Sequence, residues 1–246
     1  MDTSLYVGLS DQMALQRRME IIANNLANMT TTAFKGESVL FQTYLQRMQG
    51  TDTPATSNVS YVQDYGVVRD LAPGHMDVTG NPLDLAINGD GYFTVQNAQG
   101  QQLYTRDGHF EMSSNYEMVT SNGLPVLDSS GKPITFLPTD TGITVSADGV
   151  ISTRERGQIG KIQVVNFANG QHMESVGDSL YSTSQAPAPA PEARVSQGML
   201  ESSNVKPIVE MTNMISVSRQ YQEVANILDR QDQLKHEAIT SLPQVQ

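Results

Sequence analysis

Residues of the types that act in catalysis or bind metals are few in this chain and widely spaced in the sequence. His75 and Asp77 form a His-x-Asp pair, and His109 follows Asp107, but the four histidines, at positions 75, 109, 172 and 236, have no regular spacing. A metal site or an acid–base pair needs further ligands or partners at helical or strand spacing. The sequence therefore predicts a protein that is not an enzyme and that holds no metal or other cofactor.

Aspartates next to glycine are the second chemical candidates. Gly89-Asp90-Gly91 lacks the third glycine and the following helix of a dinucleotide-binding loop. The Asp-Gly pairs are isolated, whereas a calcium loop needs carboxylates at fixed alternate positions. Such dipeptides suit the positive φ angles of tight turns, so we interpret Gly89-Asp90-Gly91 as a hairpin. The chain has no cysteine, which excludes disulfides, thiolate metal sites and cysteine nucleophiles.

Acidic residues outnumber basic ones in this chain. The 246 residues carry a formal net charge of −11, which argues against nucleic acid and anionic membrane surfaces as partners because both would be repelled. No apolar run approaches the roughly 20 residues needed to span a bilayer. The N-terminus has no basic segment followed by an apolar one. We therefore expect no membrane insertion and no cleaved signal peptide, so that export would use another route.

Two amphipathic segments lie at the two ends of the chain. Their apolar residues recur at alternating spacings of four and three, which places one stripe along a helix, as in a coiled-coil seam. We expect helices from Thr3 or Ser4 to about Asn28 and from about Val205 to about Thr240. The first seam consists of Leu15, Met19, Ile22, Leu26 and Met29, and the second of Met214, Val217, Tyr221, Val224 and Leu228.

Short strand-like runs separated by turn residues fill the region between the helices. Their spacing is typical of an antiparallel sandwich or rolled sheet, and the alternating Ala and Pro of 186–191 predict a stiff polyproline-II linker. The predicted fold class is α+β, with a coiled-coil-like helical module formed by the two terminal helices and an inserted, mainly antiparallel β domain. The predicted segments are 1–35 (first helix), 36–58 (extended linker), 59–183 (β domain), 184–204 (Pro-rich and turn linker) and 205–246 (last helix).

Three asparagines, Asn24, Asn25 and Asn28, lie beside the first seam. Asparagine is unfavourable inside a helix because its amide competes for backbone hydrogen bonds. One interpretation is a cap cluster at a frayed helix end. The other is that the amides form hydrogen bonds across a helix–helix contact and fix its register, as buried polar residues do in some coiled coils.

Three stretches in this order along the chain carry a family resemblance. The first is Asn24-Asn25-Leu26-Ala27-Asn28 followed by Thr31-Thr32-Ala33-Phe34-Lys35. The middle stretch comprises residues 81–93 and 104–108, and the last runs over 197–205 and continues with Glu210-Met211 and Met214-Ile215. Together they resemble the flagellar basal-body rod, hook and hook-associated family, and the resemblance covers nearly the whole chain.

The sequence departs from the family pattern at three turns. Ala33 stands where the family usually has Gly before the aromatic residue, and Tyr116 lies in a turn that lacks the usual Gly. Lys206-Pro207 follows Val205 where the family has an acidic residue. These departures concern local turn geometry rather than membership of the family.

The resemblance implies a structural subunit that polymerises through its terminal helices into the axial drive shaft of the flagellum and transmits torque. It implies location in the periplasmic rod of the basal body after export without a cleaved signal. The implied partners are copies of the chain, neighbouring rod proteins and the flagellar type III export apparatus. The expected assembly interface comprises Leu15, Met19, Ile22, Asn24, Asn25, Leu26, Asn28, Met29, Phe34, Met211, Met214, Val217, Tyr221, Val224 and Leu228.

Position along the rod is a finer expectation. The compact length, the short segment from Lys35 to Asn81 and the Met-Asp opening are most similar to proximal-rod members. A distal-rod subunit is the alternative within the family. An exported adhesin-like β module with coiled-coil ends is the alternative from another class. However, an adhesin would be expected to expose an aromatic platform, and the chain has no Trp and only 6% aromatic residues.

Overall fold

The computed structural model describes the backbone of residues 2–47 and 58–241, and the side chains of residues 6–41, 66–237 and 240. The chain forms two compact units. We call the first the helix–hairpin unit; it comprises Met1–Ala27, Glu37–Asp70 and Lys206–Gln246. The second, the β unit, comprises Asn28–Gly36 and Leu71–Val205. The part of the expected linker at 48–57 lies outside the described residues.

The helix–hairpin unit contains two helices, α1 (Asp2–Ala27) and α2 (Pro207–Ser241). Pro207 suits the first position of α2 because the amide that it lacks would have no partner inside the helix. Gly8 near the start of α1 approaches Leu228 in the second half of α2, and a Cβ added to Gly8 would lie 2.6 Å from Leu228 Cδ2. Later α1 residues pack with earlier α2 residues such as Val217, so the helices are antiparallel.

A long antiparallel hairpin completes this unit. Strands β1 (Glu37–Arg47) and β2 (Asn58–Arg69) pair along their lengths, with an irregularity between Leu40 and Phe41. Both strands contact α1, which is consistent with the marginal stability of an isolated two-stranded ribbon. The structure therefore differs from the expected extended linker over 36–58, because residues 37–47 form a strand.

All strand pairings of the β unit are antiparallel. Its strands are β3 (Met76–Val78), β4 (Leu85–Asn88), β5 (Tyr92–Gln96), β6 (Gln102–Thr105), β7 (Phe110–Met112), β8 (Met118–Thr120), β9 (Thr144–Val145), β10 (Val150–Thr153), β11 (Gly157–Lys161), β12 (Val164–Asn166), β13 (Glu174–Gly177), β14 (Leu180–Ser182), β15 (Ala188–Pro189), β16 (Arg194–Gln197) and β17 (Met199–Glu201), with a 3-10 helix at Gly170–His172. The main sheet has the order β13-β14-β6-β5-β12-β15. Two terminal helices and an antiparallel β region confirm the α+β class.

Two of the predicted connections differ in the structure. Gly89-Asp90-Gly91 does not form a hairpin, since β4 pairs with β16 whereas β5 pairs with β6 and β12. Residues 184–204, expected to be a linker, supply β15, β16 and β17. The Ala-Pro segment contributes β15 at the edge of the main sheet, where proline's missing amide leaves no ladder bond unmade. The Asp148-Gly149 turn does join paired strands, β9 and β10.

The core of the β unit lies on both faces of the main sheet. Consecutive residues of a strand point to opposite faces, and Tyr92 and Phe93 accordingly belong to different buried clusters. Phe93 packs edge-on against Phe110 at a ring-centroid distance of 5.1 Å. On the other face, Tyr104 packs edge-on against Phe167 at 4.7 Å. The main sheet of the β unit is therefore covered by a buried hydrophobic cluster on each face.

Candidate assembly interface

Most of the predicted seam residues pack against one another within a single chain. Leu15, Ile22 and Val217 form a buried cluster, and further seam residues pack against it: Met19, Met214, Tyr221 and Val224. Leu228 continues the contact at Gly8. At the end of the first seam, Leu26 is half-buried and is not a member of this cluster, and Met29, which belongs to the β unit, is exposed. The seam is therefore the contact of the subunit's own helix pair.

The three asparagines have different surroundings. Asn25 is buried, and its amide forms two hydrogen bonds with Glu37: Oδ1 accepts from the Glu37 N–H and Nδ2 donates to the Glu37 carbonyl, each at 2.8 Å. Asn25 thus ties α1 to the start of β1, whereas one interpretation had expected its amide to bond across a helix–helix contact. Asn28 accepts from Thr31 Oγ1 at 3.1 Å, as at a helix end. Asn24 is exposed.

Two apolar stripes remain exposed on the helices. At 3.6 residues per turn, Tyr6, Leu9 and Met13 lie on one face of α1, opposite its seam. Another stripe, made by Ile208, Met211 and Ile215, lies on α2 away from its seam. We call these the α1 stripe and the α2 stripe. Because the helices are antiparallel, the stripes lie at opposite ends of the helix pair.

A buried ionic cluster joins the sequence motifs in the β unit. Lys35 Nζ lies 2.6 Å from Glu201 Oε1, and Arg106 Nε lies 2.7 Å from Glu201 Oε2. The side chains are only 5%, 7% and 1% exposed for Lys35, Arg106 and Glu201, respectively. Each of the three residues belongs to a different stretch of the family resemblance. We call this arrangement the signature cluster.

The remaining donors of Arg106 hold the turn between β4 and β5. Its Nη1 donates to the Gly91 carbonyl at 3.0 Å, and its Nη2 donates to the carbonyls of Ile87 at 3.1 Å and Gly89 at 2.8 Å. These carbonyls accept from a guanidinium group, and β4 and β5 are not paired with each other. This geometry explains why Gly89-Asp90-Gly91 forms a different turn from the predicted hairpin.

Backbone groups complete the surroundings of Glu201. Oε1 also accepts from the Gly74 N–H at 2.9 Å, and the Glu201 carbonyl accepts from the Ala33 N–H at 2.7 Å. A Cβ at Gly74 would lie 1.9 Å from the Ser202 carbonyl oxygen, so no other residue fits this position without a shift of the backbone. Burial acts to raise the Glu201 pKa, but the charge of Arg106 and the hydrogen bonds from Lys35, Gly74 and Arg106 hold that pKa below its ordinary value.

Comparison with known proteins identifies the family. Residues 5–35 match the family "Flagella basal body rod protein", residues 86–153 match the "Flagellar hook protein FlgE/F/G D1 domain", and residues 196–240 match the "Flagellar basal body rod FlgEFG protein C-terminal". The flagellar basal-body rod protein FlgF of Caulobacter vibrioides is 41% identical over the full length of both chains. The chain belongs to the flagellar basal-body rod protein family.

Other relatives of this rod protein extend the comparison. FlgF of Mesorhizobium japonicum is 37% identical over 98% of each chain. FlgG of Buchnera aphidicola subsp. Schizaphis graminum is 31% identical over 94% of this chain and 96% of its own length. The subunit is thus a structural protein of the basal-body rod and is more similar to these FlgF sequences than to that FlgG.

Sequence reasoning about this rod protein missed the signature cluster. Lys35, Arg106 and Glu201 were read only as parts of motifs, although one charged residue in each of three motifs was the available signal. The departures from the family pattern have a structural counterpart, since Ala33 and Tyr116 have left-handed φ angles of 56° and 61°. Phe34, expected at the interface, is half-buried in the β unit, where its carbonyl accepts from the Asn204 N–H at 3.3 Å.

The chemical candidates of this rod protein are held in local contacts. His109 Nδ1 lies 2.9 Å from Asp84 Oδ1, and His75 Nε2 lies 3.7 Å from Asp77 Oδ1 on the surface. Burial raises the pKa of Asp107, opposed by its hydrogen bond from the His109 backbone. Within the described part of the chain, no group of three or more His, Cys, Asp or Glu side chains is arranged to hold a metal ion.

Both helices of this rod protein carry charged as well as apolar residues. Neither helix, over the residues that the structure describes, combines the length and hydropathy that crossing a bilayer requires.

Proposed function

We propose that this chain is a proximal-rod subunit that assembles head to tail through its helix–hairpin unit. Its family membership supports a place in the rod, and the observation that carries the mode of assembly is the exposed pair of apolar stripes. Ile208, Met211 and Ile215 recur at the spacing that gives one continuous face of α2. An exposed contiguous apolar surface is typical of a protein–protein contact.

The different positions of the two stripes favour an open assembly. A two-fold dimer would use one patch on both partners, whereas contact between different patches produces a ring or a helical stack. The α1 stripe of one subunit is therefore proposed to meet the α2 stripe of the next subunit or of a neighbouring rod protein. The buried seam from Leu15 to Ile22 and from Met214 to Val224 acts in this assembly by holding the helix pair together. The pair is coiled-coil-like, with the β domain inserted between its helices.

An engineered disulfide tests this contact, because the native chain has no cysteine. We would combine Leu9→Cys in the α1 stripe with Ile215→Cys in the α2 stripe. Since Gly8 lies opposite Leu228, Ile215 is displaced from Leu9 by about 18 Å along the helix pair at 1.5 Å per residue. A disulfide needs Cα atoms within about 7 Å, so a bond within one chain is excluded.

Basal bodies purified from cells with the double variant should yield a ladder of crosslinked species under oxidation. Either single variant serves as the control and should give at most one dimeric species. If the double variant assembles into rods but yields no ladder, adjacent copies do not join through these stripes.

The proximal position is tested separately. A stacked polymer extends only from a finished end, so deletion of the gene should leave basal bodies without distal rod, hook or filament. Electron microscopy of purified basal bodies measures this directly. A rod of normal length in the deletion strain would end the proximal assignment in favour of a position further out. The proposed entry into the periplasm through the flagellar type III apparatus, without a cleaved signal, is tested by the intact N-terminus of the protein recovered from rods.

No enzymatic role is proposed. His75 lies beside Asp77, and His109 lies between Asp84 and Glu111, so that neither histidine has a nucleophile as its partner. The family consists of structural rod proteins. Unchanged motility in a strain carrying His75→Ala and His109→Ala together would support this, whereas lost motility with normal assembly would contradict it.

A further inference from the structure

Three segments of the β unit carry the chain to and from the rest of the sequence. Asn28–Gly36 is one of them, Leu71 begins the second, and the third ends at Val205. All the passages of the chain into and out of the β unit occur at the ends of these segments. Contacts that hold these three segments together within the β unit therefore fix the positions at which the chain leaves that unit.

Glu201 bonds to all three segments. It belongs to the third segment, and its carboxylate binds Lys35 of the first and the Gly74 N–H of the second, at 2.6 and 2.9 Å. Its carbonyl accepts from the Ala33 N–H at 2.7 Å. Lys35 adds a further link, because its Nζ also donates to the Ala72 carbonyl at 2.8 Å. Arg106 anchors the carboxylate to the interior of the β unit.

The side chain of Asn204 forms a second connection among the same three segments. Its Oδ1 accepts from the Gly36 N–H at 2.8 Å, and its Nδ2 donates to the Ala72 carbonyl at 2.9 Å. One side-chain amide thus again links the first, second and third segments. Two side chains of the C-terminal motif, three residues apart, therefore tie the same set of segments.

Strained backbone lies within the tied segments. Ala33 has a left-handed φ of 56°, and such a conformation in a non-glycine residue persists only where its surroundings hold it. The neighbouring Thr32 carbonyl accepts from Ser179 Oγ at 3.4 Å, and Ser179 itself has a φ of 57°. Strain on both sides of this contact indicates that the segment is held in place by its partners rather than by its own preference.

We propose that Glu201 is the positioning residue of an ionic clamp that holds the three exit segments of the β unit in one fixed geometry. A subunit that transmits torque needs such a fixed geometry, because mobile exit segments would absorb the rotation. This mechanical role rests on the proposed function in the rod, whereas the clamp itself is a property of the single chain. The clamp is predicted to open as one local unit when the carboxylate loses its charge.

Glu201→Gln tests the clamp with little change of shape, since it leaves Lys35 and Arg106 buried without their anion. Amide hydrogen exchange on the full-length chain would compare Ala33, Gly36 and Gly74 with Met118 and Val126, whose amides bond within the β core. We expect exchange about tenfold faster or more at the first three, with wild-type protection at the last two. Glu174→Gln, the same substitution at an exposed position on β13, is the matched control and should change neither group.

Unchanged exchange at the three clamp amides would overturn the proposal, and so would an equal loss of protection at all five. If Glu201→Gln does not fold, Lys35→Met is the milder variant, because Glu201 keeps Arg106 as a partner, and the same pattern is required of it. In the wild type, protection of the clamp amides should fall in acid before that of Val126. Simultaneous loss would contradict local opening.

The mechanical role is tested in cells that carry Lys35→Met. Rods should assemble, and swimming speed should fall most in viscous medium, where torque is greatest. Normal speed under that load, with the clamp shown to be open by exchange, would overturn the mechanical role. Absence of the wild-type protein from purified rods would instead refute the proposed function and leave the exchange result standing.

Discussion

The β unit and the helix–hairpin unit treat their apolar side chains in opposite ways. The β unit covers both faces of its main sheet with buried aromatic and aliphatic residues, and it neutralises the buried carboxylate of Glu201 with two cations. Among the described side chains of the helix–hairpin unit, the buried cluster between the helices consists of Leu15, Ile22 and Val217 with half-buried neighbours, while apolar stripes are exposed on both helices.

The contrast indicates where each unit obtains its stability. Burial of apolar surface is the main favourable term in folding, at about 25 cal/mol per Å². A unit that buries its core within one chain needs no partner for its stability. Long helices that share only a small buried cluster depend on packing against further surfaces. The β unit is therefore expected to be complete in the single subunit, and the helix–hairpin unit to be completed by its neighbours in the rod.

The largest effect that tests this contrast is a cavity in each core. Phe93→Ala removes a fully buried ring that packs on Phe110, and it should lower the free energy of unfolding of the β unit by about 3–5 kcal/mol. Val217→Ala in the helix pair removes fewer buried atoms and should cost about 1–2 kcal/mol, confined to the helices. Denaturant titration followed by hydrogen exchange separates the two transitions. A larger cost for Val217→Ala would reverse the contrast.

Acid should weaken the β unit through the signature cluster. The folded pKa of Glu201 lies below its ordinary value, so the unfolded state binds more protons as the pH falls through this range. The stabilisation is fully present above the unfolded pKa of about 4.3, and it is lost as the pH falls through the folded pKa. The raised pKa of Asp107 acts in the opposite direction, because protonation there favours the folded state.

Thermal melts of the wild type and of Glu201→Gln at a series of pH values measure this dependence. The destabilisation caused by Glu201→Gln should shrink as the pH is lowered, because the wild type then loses the same charge. A difference between the two proteins that stays constant down to pH 3, well below the ordinary glutamate pKa of about 4.3, would contradict the assigned sign.

A smaller effect concerns strain in the β unit. Tyr116 is partly exposed and has a φ of 61°, a conformation that costs a non-glycine residue about 1–2 kcal/mol. Tyr116→Gly should therefore stabilise the β unit by up to about 1 kcal/mol. Tyr116→Phe keeps the strain and should be neutral. A loss of stability in the glycine variant would show that the tyrosine ring contributes more than its backbone costs.

The sequence predicted elements whose cause is local. The seam spacing placed both helices to within a few residues, and strand-like runs such as Tyr92–Val95 are strands in the structure. Strand pairing was not predicted correctly where a distant partner decides it. Asn88–Gly91 has hairpin residues, but its carbonyls accept from Arg106 and β4 pairs with β16, more than a hundred residues away.

The candidate interface was predictable only in part for the same reason. The spacing of a seam predicts that the apolar stripe will be buried. It does not predict whether the stripe packs against another subunit or against the other terminal helix of the same chain. The partner of Asn25 is the backbone of Glu37, which no side-chain pattern reveals. The signature cluster depends on three charges that are about 70 and 95 residues apart, and only the fold brings them together.

The claim that the helix–hairpin unit is completed by its neighbours is tested most directly by two matched substitutions. Ile208, in the α2 stripe, and Val78, on β3 of the β unit, are 77% and 76% exposed. Ile208→Asp and Val78→Asp should each change the stability of the isolated subunit by no more than about 0.5 kcal/mol, as is usual for surface substitutions. In a strain that lacks the wild-type gene, Ile208→Asp should be absent from purified basal bodies and leave the cells non-motile, whereas Val78→Asp should be incorporated and restore swimming. Normal incorporation of Ile208→Asp, or an equal defect in both variants, would show that the α2 stripe is not a contact between the subunit and its neighbours.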